Sequence, residues 1–223
     1  MSRLLNGNRM NASFLALEPL ALFGVGLACI ACERLTLGHS GVAPREYLTD
    51  LKSLGMAVLV SAVVATGWNW ATSAGQAPLD LRPWRVIGAI VAFDVALYGL
   101  HRIGHSAAWP IHRRHHTAKH FEASMAFRDS WAHLIIYAVL LRAFGLAFDL
   151  SAPELAVLSS VFIAFQWWSH LRVPVSLGVL DFILIGPRHH SLHHRHERRA
   201  WSKNLGGLFC AWDQLFGTYA HPF

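Results

Sequence analysis

The chain has 223 residues, of which 54% are hydrophobic and only 14% are charged, and its net charge is +6. A typical soluble domain contains about 25% charged residues, so this composition predicts a membrane protein rather than a soluble one. The basic residues accompany histidine-rich segments and form no recognisable nucleic-acid module, so we expect no nucleic acid partner. Three cysteines are too few for a disulfide framework.

Five apolar stretches predict helices, at about residues 14–32, 54–70, 86–100, 131–148 and 155–168. A spanning helix needs about 17–25 residues, so the third and fifth stretches qualify only if they extend into the histidine motifs that follow them. A sixth apolar run, residues 173–185, contains Pro174, Gly178 and Asp181. It predicts a re-entrant or interfacial segment, because broken backbone at membrane depth must be shielded by protein.

The charged loops predict the orientation of these helices. Arginine and lysine are frequent in residues 101–130 and after residue 185, whereas the turn that carries Asp149 and Glu154 has no positive charge. The positive-inside rule places both histidine-rich regions in the cytoplasm and that turn outside. Strict alternation would leave the N-terminus outside, which Arg3 and Arg9 oppose, so a full span by the first stretch stays open. The expected fold is all-α, a polytopic transmembrane bundle of about four to five spans with a cytoplasmic histidine-rich metal-binding cap.

Thirteen of the 15 histidines lie between His101 and His196, in tight clusters beside apolar helices. Spacings of three and four residues put side chains on one helix face, and imidazole favours iron, copper, nickel and zinc. Nine such histidines are too many for one ion and suit two, so the pattern predicts a dinuclear metal centre. Its candidate ligands are His101, His105, His112, His115, His116, His170, His190, His193 and His194.

Other histidines have weaker patterns. A lone histidine, such as His39, His133 or His221, is more often a surface or core residue than a ligand. Three more lie near the clusters but outside the repeated spacing, and their contact with metal stays open: His120, His189 and His196.

Two further residues share a stripe with the first histidine pair. Asp94, Tyr98, His101 and His105 follow one another at spacings of four, three and four, which places them on one helix face. Tyr98 and Asp94 lie one and two turns deeper than His101, where they are candidates for orienting a ligand imidazole through hydrogen bonds. A carboxylate at this depth is costly and suggests function. The alternative is an ion pair between Asp94 and Arg142.

The motifs resemble the three histidine boxes of the fatty acid hydroxylase / sterol desaturase superfamily, which comprises integral membrane di-iron oxygenases. The boxes are H-x-x-x-H at 101–105, H-x-x-H-H at 112–116 and H-x-x-H-H at 190–194. Flanking motifs agree, and the resemblance covers about residues 94–219: Asp94-x-x-x-Tyr98, Ala126-Phe-Arg128, Asn204-Leu-Gly-Gly207 and Trp212-Asp213. One departure is Gln166, where some family members have a histidine, so the ligand count and any contact of Gln166 with metal stay open.

The apolar stretches predict N-terminal membrane anchor helices in residues 1–83, about which the resemblance says little. The resemblance implies a fatty acid hydroxylase-like catalytic domain in residues 84–223, and we expect both parts to form one structural unit. It also implies two iron ions, which zinc can replace in overexpressed protein. The expected reaction is O2-dependent hydroxylation or desaturation of a membrane lipid. Asp94 and Tyr98 would act beside the metal ligands.

The electrons for such a reaction must come from elsewhere, because the glycines form no G-x-G-x-x-G dinucleotide fingerprint. We expect a separate donor such as a ferredoxin or cytochrome. The basic residues Arg113, Arg114, Arg198 and Arg199 suit an acidic donor or a lipid phosphate, or merely reflect positive-inside topology. The non-catalytic alternative is a histidine-rich membrane metal transporter or sensor, which predicts ionisable residues spread through the membrane along several helices.

Overall fold

A computed structural model of the protein describes residues 20–72, 82–197 and 200–221, and those residues are helical and irregular with no strand. The all-α class is therefore confirmed. A π-helical turn, Leu20–Val25, leads into α1. Short 3-10 turns lie at His115–Thr117, Ala123–Met125 and Gly178–Phe182. The helices are α1 Gly26–Leu37, α2 Pro44–Thr72, α3 Pro83–Gly104, α4 Trp109–His112, α5 Trp131–Ala147, α6 Ala152–Ser169, α7 Pro187–His193 and α8 Ala211–Leu215.

Two of the described helices are long and apolar enough to cross a membrane, residues Pro44–Trp68 of α2 and the whole of α3. Helix α3 continues to Gly104, so the third apolar stretch does extend into its histidine motif as the sequence requires. Helix α5 is a shorter apolar helix of 17 residues. The protein is a membrane protein, while the count of four to five spans stays a prediction.

The first apolar stretch is only partly described, since residues 14–19 and the basic residues Arg3 and Arg9 lie outside the described residues. Its described part, α1, is tied to the histidine end of the bundle. The buried Glu33 carboxylate of α1 accepts hydrogen bonds from the backbone N–H groups of Ala123 (2.9 Å) and Arg172 (2.6 Å).

The start of α3 and the turn between α5 and α6 meet at one end of the bundle. Glu154 accepts hydrogen bonds from the backbone N–H groups of Ser151 and Arg82, both at 2.8 Å. Arg85 also pairs with Asp149 at 3.0 Å. The histidines lie at the opposite end of the bundle, where α3 and α6 end and α5 begins. The acidic turn and the histidines are therefore separated by the length of the helices. The cytoplasmic orientation itself stays a prediction.

Aromatic side chains hold α3, α5 and α6 together. The fully buried Phe93 of α3 meets Tyr137, Phe144 and Phe162 edge-on, with ring centroids 5.6, 5.4 and 4.9 Å away. Edge-to-face pairs of this kind contribute about 0.5–1.5 kcal/mol each beyond the area that they bury. This core fixes the relative positions of three helices: α3 carries His101, α5 begins after the loop that follows the second histidine box, and α6 ends just before His170.

Helix α2 packs against the loop that follows the second histidine box. Arg128 in that loop pairs with Glu46 at 2.9 Å and also with Asp50. Asp50 in addition accepts a hydrogen bond from Ser124 (2.8 Å) and lies 3.0 Å from the His120 ring nitrogen. These buried contacts join the predicted anchor region to the histidine-bearing region and leave His120 directed at Asp50.

Candidate metal centre

Five histidines converge where α3 ends. One ring nitrogen from each lies within 4.8 Å of all the others, and we name this set group A: His101, His105, His112, His116 and His193. The Nε2 atoms of His101 and His105 lie 3.0 and 3.2 Å from that of His193, and those of His112 and His116 are 3.1 Å apart. Helices α3, α4 and α7 and a 3-10 turn therefore all direct imidazole nitrogens at one point.

Four more histidines form a second convergence, named group B: His115, His170, His190 and His194. The Nε2 of His115 lies 3.2 Å from that of His170 and 3.1 Å from that of His194. The neighbours His115 and His116 fall into different groups, as do His193 and His194, because adjacent helical residues point about 100° apart. All nine candidate ligands are thus brought together in two adjacent groups.

The tautomers of these rings test whether a metal ion fits. The Nδ1 atoms of His101 and His193 lie 2.8 Å from the carbonyl oxygens of Leu205 and Lys203, so both Nδ1 atoms donate a proton. Each Nε2 of the neutral rings then carries a lone pair, yet the two Nε2 atoms face each other at 3.0 Å. Two lone pairs repel at this distance, and a cation between them removes the repulsion. Metal–nitrogen bonds of about 2.0–2.1 Å at right angles would give about this separation.

Burial keeps the rings in the neutral form that binds metal. Desolvation lowers the pKa of His105 and of His170 to about 4, and desolvation together with the charge of His105 lowers that of His116 to about 3. Metal binding requires a neutral imidazole, so neither group needs to lose protons at neutral pH. Groups A and B fit a pair of ions that accept nitrogen ligands, such as iron or zinc.

A cavity borders both groups on the side of the helix bundle. Its volume is about 140 Å³, and its walls are mostly apolar, including Leu97, Leu100, Phe127, Leu134, Tyr137 and Phe162. Histidines of both groups also line it: His101 and His112 of group A, and His115 and His190 of group B. A cavity of about this size takes a molecule such as benzene, so it suits a segment of a hydrocarbon chain rather than a whole lipid.

The sequence model of the fatty acid hydroxylase family matches residues 86–218, which span both groups and the cavity. The chain belongs to the fatty acid hydroxylase family. The resemblance seen in the histidine boxes is therefore confirmed. No solved structure matches the chain.

Several proteins named as a monooxygenase or a lipid hydroxylase are similar to this chain. Human alkylglycerol monooxygenase is 33% identical over 61% of the chain and 31% of its own length. The Caenorhabditis elegans alkylglycerol monooxygenase is 30% identical over 74% of the chain and 32% of its own length. The ornithine lipid hydroxylase OlsE of Rhizobium tropici is 27% identical over 61% of the chain and 42% of its own length. The matched part of the chain thus spans between 31% and 42% of the length of these relatives.

The structure gives Asp94 partners that the family motif did not suggest. Its carboxylate accepts hydrogen bonds from the backbone N–H of Leu208 (2.8 Å) and Phe209 (3.0 Å) and from the indole of Trp212 (2.7 Å). Among the described residues it bonds neither to an imidazole nor to Arg142. The physical reason is that the carbonyl of Leu205, just before this segment, already occupies the outer nitrogen of His101.

Tyr98 also contacts the C-terminal segment. Its hydroxyl lies 2.9 Å from that of Thr218 and accepts a hydrogen bond from Arg102 at 3.1 Å. Tyr98 and Asp94 therefore hold the backbone that orients His101, rather than the ring of His101 itself. Their part in catalysis stays a proposal.

The histidines and the glutamine left open lie outside both groups. His189 faces the backbone N–H of Gly186 at 3.3 Å, and His196 joins neither group. Gln166 lines the cavity, its side-chain amide donates to the carbonyl of Ala126 at 2.7 Å, and its backbone carbonyl lies 2.7 Å from His170 Nδ1. Gln166 thus orients a group B histidine through its backbone.

Two residues beside the groups were missed by the sequence patterns. His133 Nδ1 lies 2.6 Å from the Asp129 carboxylate, and the two lie within 4.8 Å of a ring nitrogen of His112. The same carboxylate is 3.8 Å from His115 Nδ1, an atom with no hydrogen-bond partner among the described residues. By its sequence pattern His133 is a lone histidine. The available signal was Asp129, which lies four residues before His133 and directly after the Ala126-Phe-Arg128 motif.

Replacing Asp129 by asparagine is expected to lower activity by about 10–100-fold, the usual effect of losing a carboxylate beside metal-binding histidines. The amide loses the negative charge that faces His115 and His133. The measurement is product formation together with metal content. Asp149→Asn is the matched control, because Asp149 is 90% exposed at the opposite end of the helices. Wild-type turnover in Asp129→Asn would contradict a role for this carboxylate.

Proposed function

We propose that the protein is a membrane lipid hydroxylase that holds two iron ions, one in each histidine group. The observation that carries this proposal is the pair of adjacent all-histidine groups, with facing lone pairs, beside an apolar cavity. Family membership and the names of the relatives support the reaction class. Zinc fits the same nitrogens and is the expected contaminant in overexpressed protein.

The proposed reaction converts a C–H bond, O2, two electrons and two protons into an alcohol and water. Bound iron supplies the O2 activation that side-chain acid–base chemistry lacks. The chain would position the substrate, because the apolar walls from α3, α5 and α6 favour a hydrocarbon segment beside the histidines that also line the cavity. The same walls exclude water from the reacting carbon. Backbone carbonyls hold the rings of His101, His193 and His170 in fixed orientations.

The relatives favour hydroxylation over desaturation, since their names describe a monooxygenase and a hydroxylase. Their named substrates are an alkylglycerol and an ornithine lipid, so we propose a membrane lipid whose alkyl or acyl chain enters the cavity. Both histidine groups are proposed to face the cytoplasm. Electrons would come from a separate ferredoxin or cytochrome that docks near the exposed Arg113 and Arg114. Arg198 and Arg199 lie outside the described residues.

The decisive experiment compares the lipids of cells that express the chain with those of cells that express His194→Ala. We expect one lipid class to gain a single oxygen only with the wild-type chain, and the purified wild-type protein to hold two metal ions. A loss of two hydrogens would instead indicate desaturation. The transporter or sensor alternative predicts altered cellular metal content with unchanged lipids. One metal ion or none after iron-replete expression would contradict the dinuclear centre.

A further inference from the structure

The segment after the third histidine box descends along α3 and returns. It starts level with His101, whose ring contacts the carbonyl of Leu205. It then reaches Asp94, which accepts the N–H groups of Leu208 and Phe209. The segment thus contacts α3 at His101, then at Asp94, and on its return at Tyr98.

The return is marked by two contacts of Tyr98. The Phe216 ring stacks on the Tyr98 ring with centroids 5.3 Å apart, and Thr218 reaches the Tyr98 hydroxyl at 2.9 Å. At a rise of about 1.5 Å per residue, Tyr98 lies about 9 Å and Asp94 about 15 Å from the end of α3 at Gly104. The segment therefore turns back at about 15 Å.

That depth is the middle of the layer that α3 crosses. Helix α3 has 22 residues and a length of about 33 Å, close to the hydrocarbon thickness of a bilayer, about 30 Å. Asp94 lies ten residues before its end, so Leu208 to Trp212 lie near the midplane if α3 spans.

A second segment accompanies the first at this depth. The carbonyl of Ile183 accepts from the N–H of Cys210, and that of Leu208 accepts from the N–H of Ile185, both at 2.8 Å. The side chain of Gln214 donates to the carbonyl of Phe182 at 2.7 Å. We name residues 178–185 and 205–218 together the paired segments. The first of them belongs to the apolar run whose sequence predicts a re-entrant segment.

Buried carboxylates satisfy the irregular backbone of the paired segments. Asp213 accepts the N–H groups of Leu205 (2.7 Å) and Gly206 (2.8 Å), while Asp94 accepts those of Leu208 and Phe209. Both carboxylates are completely buried. Water is absent from a bilayer core, so non-helical backbone can lie there only when protein groups satisfy it. These four N–H groups are satisfied by protein in this way.

The outer face of the paired segments is apolar. Five large hydrophobic side chains on it are between 50% and 80% exposed: Val179, Phe182, Ile183, Leu215 and Phe216. The two acidic residues in these segments, Asp181 and Asp213, are buried instead. An apolar face of this size on irregular backbone suits hydrocarbon rather than water.

We propose that the paired segments enter the bilayer as a re-entrant unit whose exposed face contacts lipid acyl chains of the leaflet beside the histidine groups. The occupant is lipid, because the contacts with Asp94 and Tyr98 place the face at a depth where a bilayer contains acyl chains. The unit also carries Leu205, so the backbone that orients His101 is anchored in the membrane. This placement is independent of the reaction that the metal centre performs.

Spin labels in lipid nanodiscs test the proposal. The labels are attached to Val179→Cys and to Leu215→Cys in a full-length chain whose Cys29, Cys32 and Cys210 are replaced by alanine. Oxygen concentrates in acyl chains, whereas a water-soluble nickel chelate is excluded from them. We expect both labels to collide more with oxygen than with nickel. Val95→Cys in the middle of α3 is the lipid control, and Lys119→Cys in an exposed loop is the water control.

Each other outcome overturns the proposal. Nickel access at Val179 and Leu215 equal to that at Lys119 would place the face in water. Shielding of both labels from oxygen and nickel would mean that a second copy or a partner protein covers the face. Nickel access at Val95 would show that α3 does not cross the bilayer. A parallel background that keeps the buried Cys210, with bound metal as the check on folding, guards against a misfolded variant.

Discussion

His193→Ala is expected to lose bound metal and to reduce product formation by more than about 100-fold, since even an outer hydrogen-bond partner of a ligand costs about 10–100-fold. The Nε2 of His193 lies 3.0 and 3.2 Å from those of His101 and His105, so its removal opens the centre of group A. The measurements are elemental analysis and oxygenated lipid per chain. Membrane insertion should persist, because it depends on the apolar helices.

The matched control is His189→Gln on the same helix. His189 is also completely buried, but its ring faces the backbone N–H of Gly186 and lies outside both groups. Glutamine keeps an acceptor for that N–H, so metal content should stay at the wild-type level. His39→Ala, at an exposed position, should be nearly silent. If His193→Ala kept its metal, or if His189→Gln lost it equally, the assignment of group A would be wrong.

The histidine groups could be predicted because their information is local. Spacings of three and four residues indicate which side chains share a helix face. In each H-x-x-H-H motif the two adjacent histidines point in different directions, so they belong to different groups. The same locality explains why the extension of α3 to Gly104 followed from the length that a span requires. What the spacing could not give is which motif pairs with which, for example the contact of His170 with His115 across 55 residues.

The roles of Asp94 and Asp129 depend on contacts that spacing does not encode. Asp94 shares a stripe with His101, which suggested an imidazole partner, but its partners lie more than 110 residues later in irregular chain. Asp129 lies in the loop before α5, and its spacing of four from His133 does not indicate its approach to His115. The backbone N–H groups that bind Asp94 reach it through tertiary packing, as does the ring of His115 near Asp129.

Residues 205–218 show a second limit of the sequence. The sequence predicts a re-entrant segment only for residues 173–185, because they form an apolar run with helix breakers. Residues 205–218 begin within the Asn204-Leu-Gly-Gly207 motif, and the sequence identifies them only as a flank of the third histidine box. Two buried carboxylates accept backbone N–H groups of this segment, which lowers the free-energy cost of placing irregular backbone away from water. The sequence already places Asp94 on an apolar helix at membrane depth, whereas the burial of Asp213 follows only from the fold.

Asp94→Asn is expected to destabilise the protein before it affects chemistry. One carboxylate oxygen accepts from Leu208 and the other from Phe209 and Trp212, so an amide nitrogen at either position faces a buried donor. An unsatisfied buried donor costs about 1–3 kcal/mol, which lowers the melting temperature by roughly 2–12 °C for a chain of this size. Asp94→Ala leaves all three donors unsatisfied and should lower it further.

The measurement is the thermal unfolding midpoint in nanodiscs, with metal content and turnover followed in the same samples. Trp212→Phe is the control, because it removes one donor and leaves the carboxylate two partners, so its midpoint should lie closer to wild type than that of Asp94→Asn. Arg142→Gln added to Asp94→Asn should restore nothing, since the two side chains do not pair among the described residues. An unchanged midpoint with reduced turnover would show that Asp94 acts on the chemistry. Full rescue by Arg142→Gln would instead establish the ion pair. We expect the unfolding midpoint to be lowest for Asp94→Ala, higher for Asp94→Asn and highest for Trp212→Phe. This order follows only if Asp94 holds in place the backbone that brings Leu205 to His101.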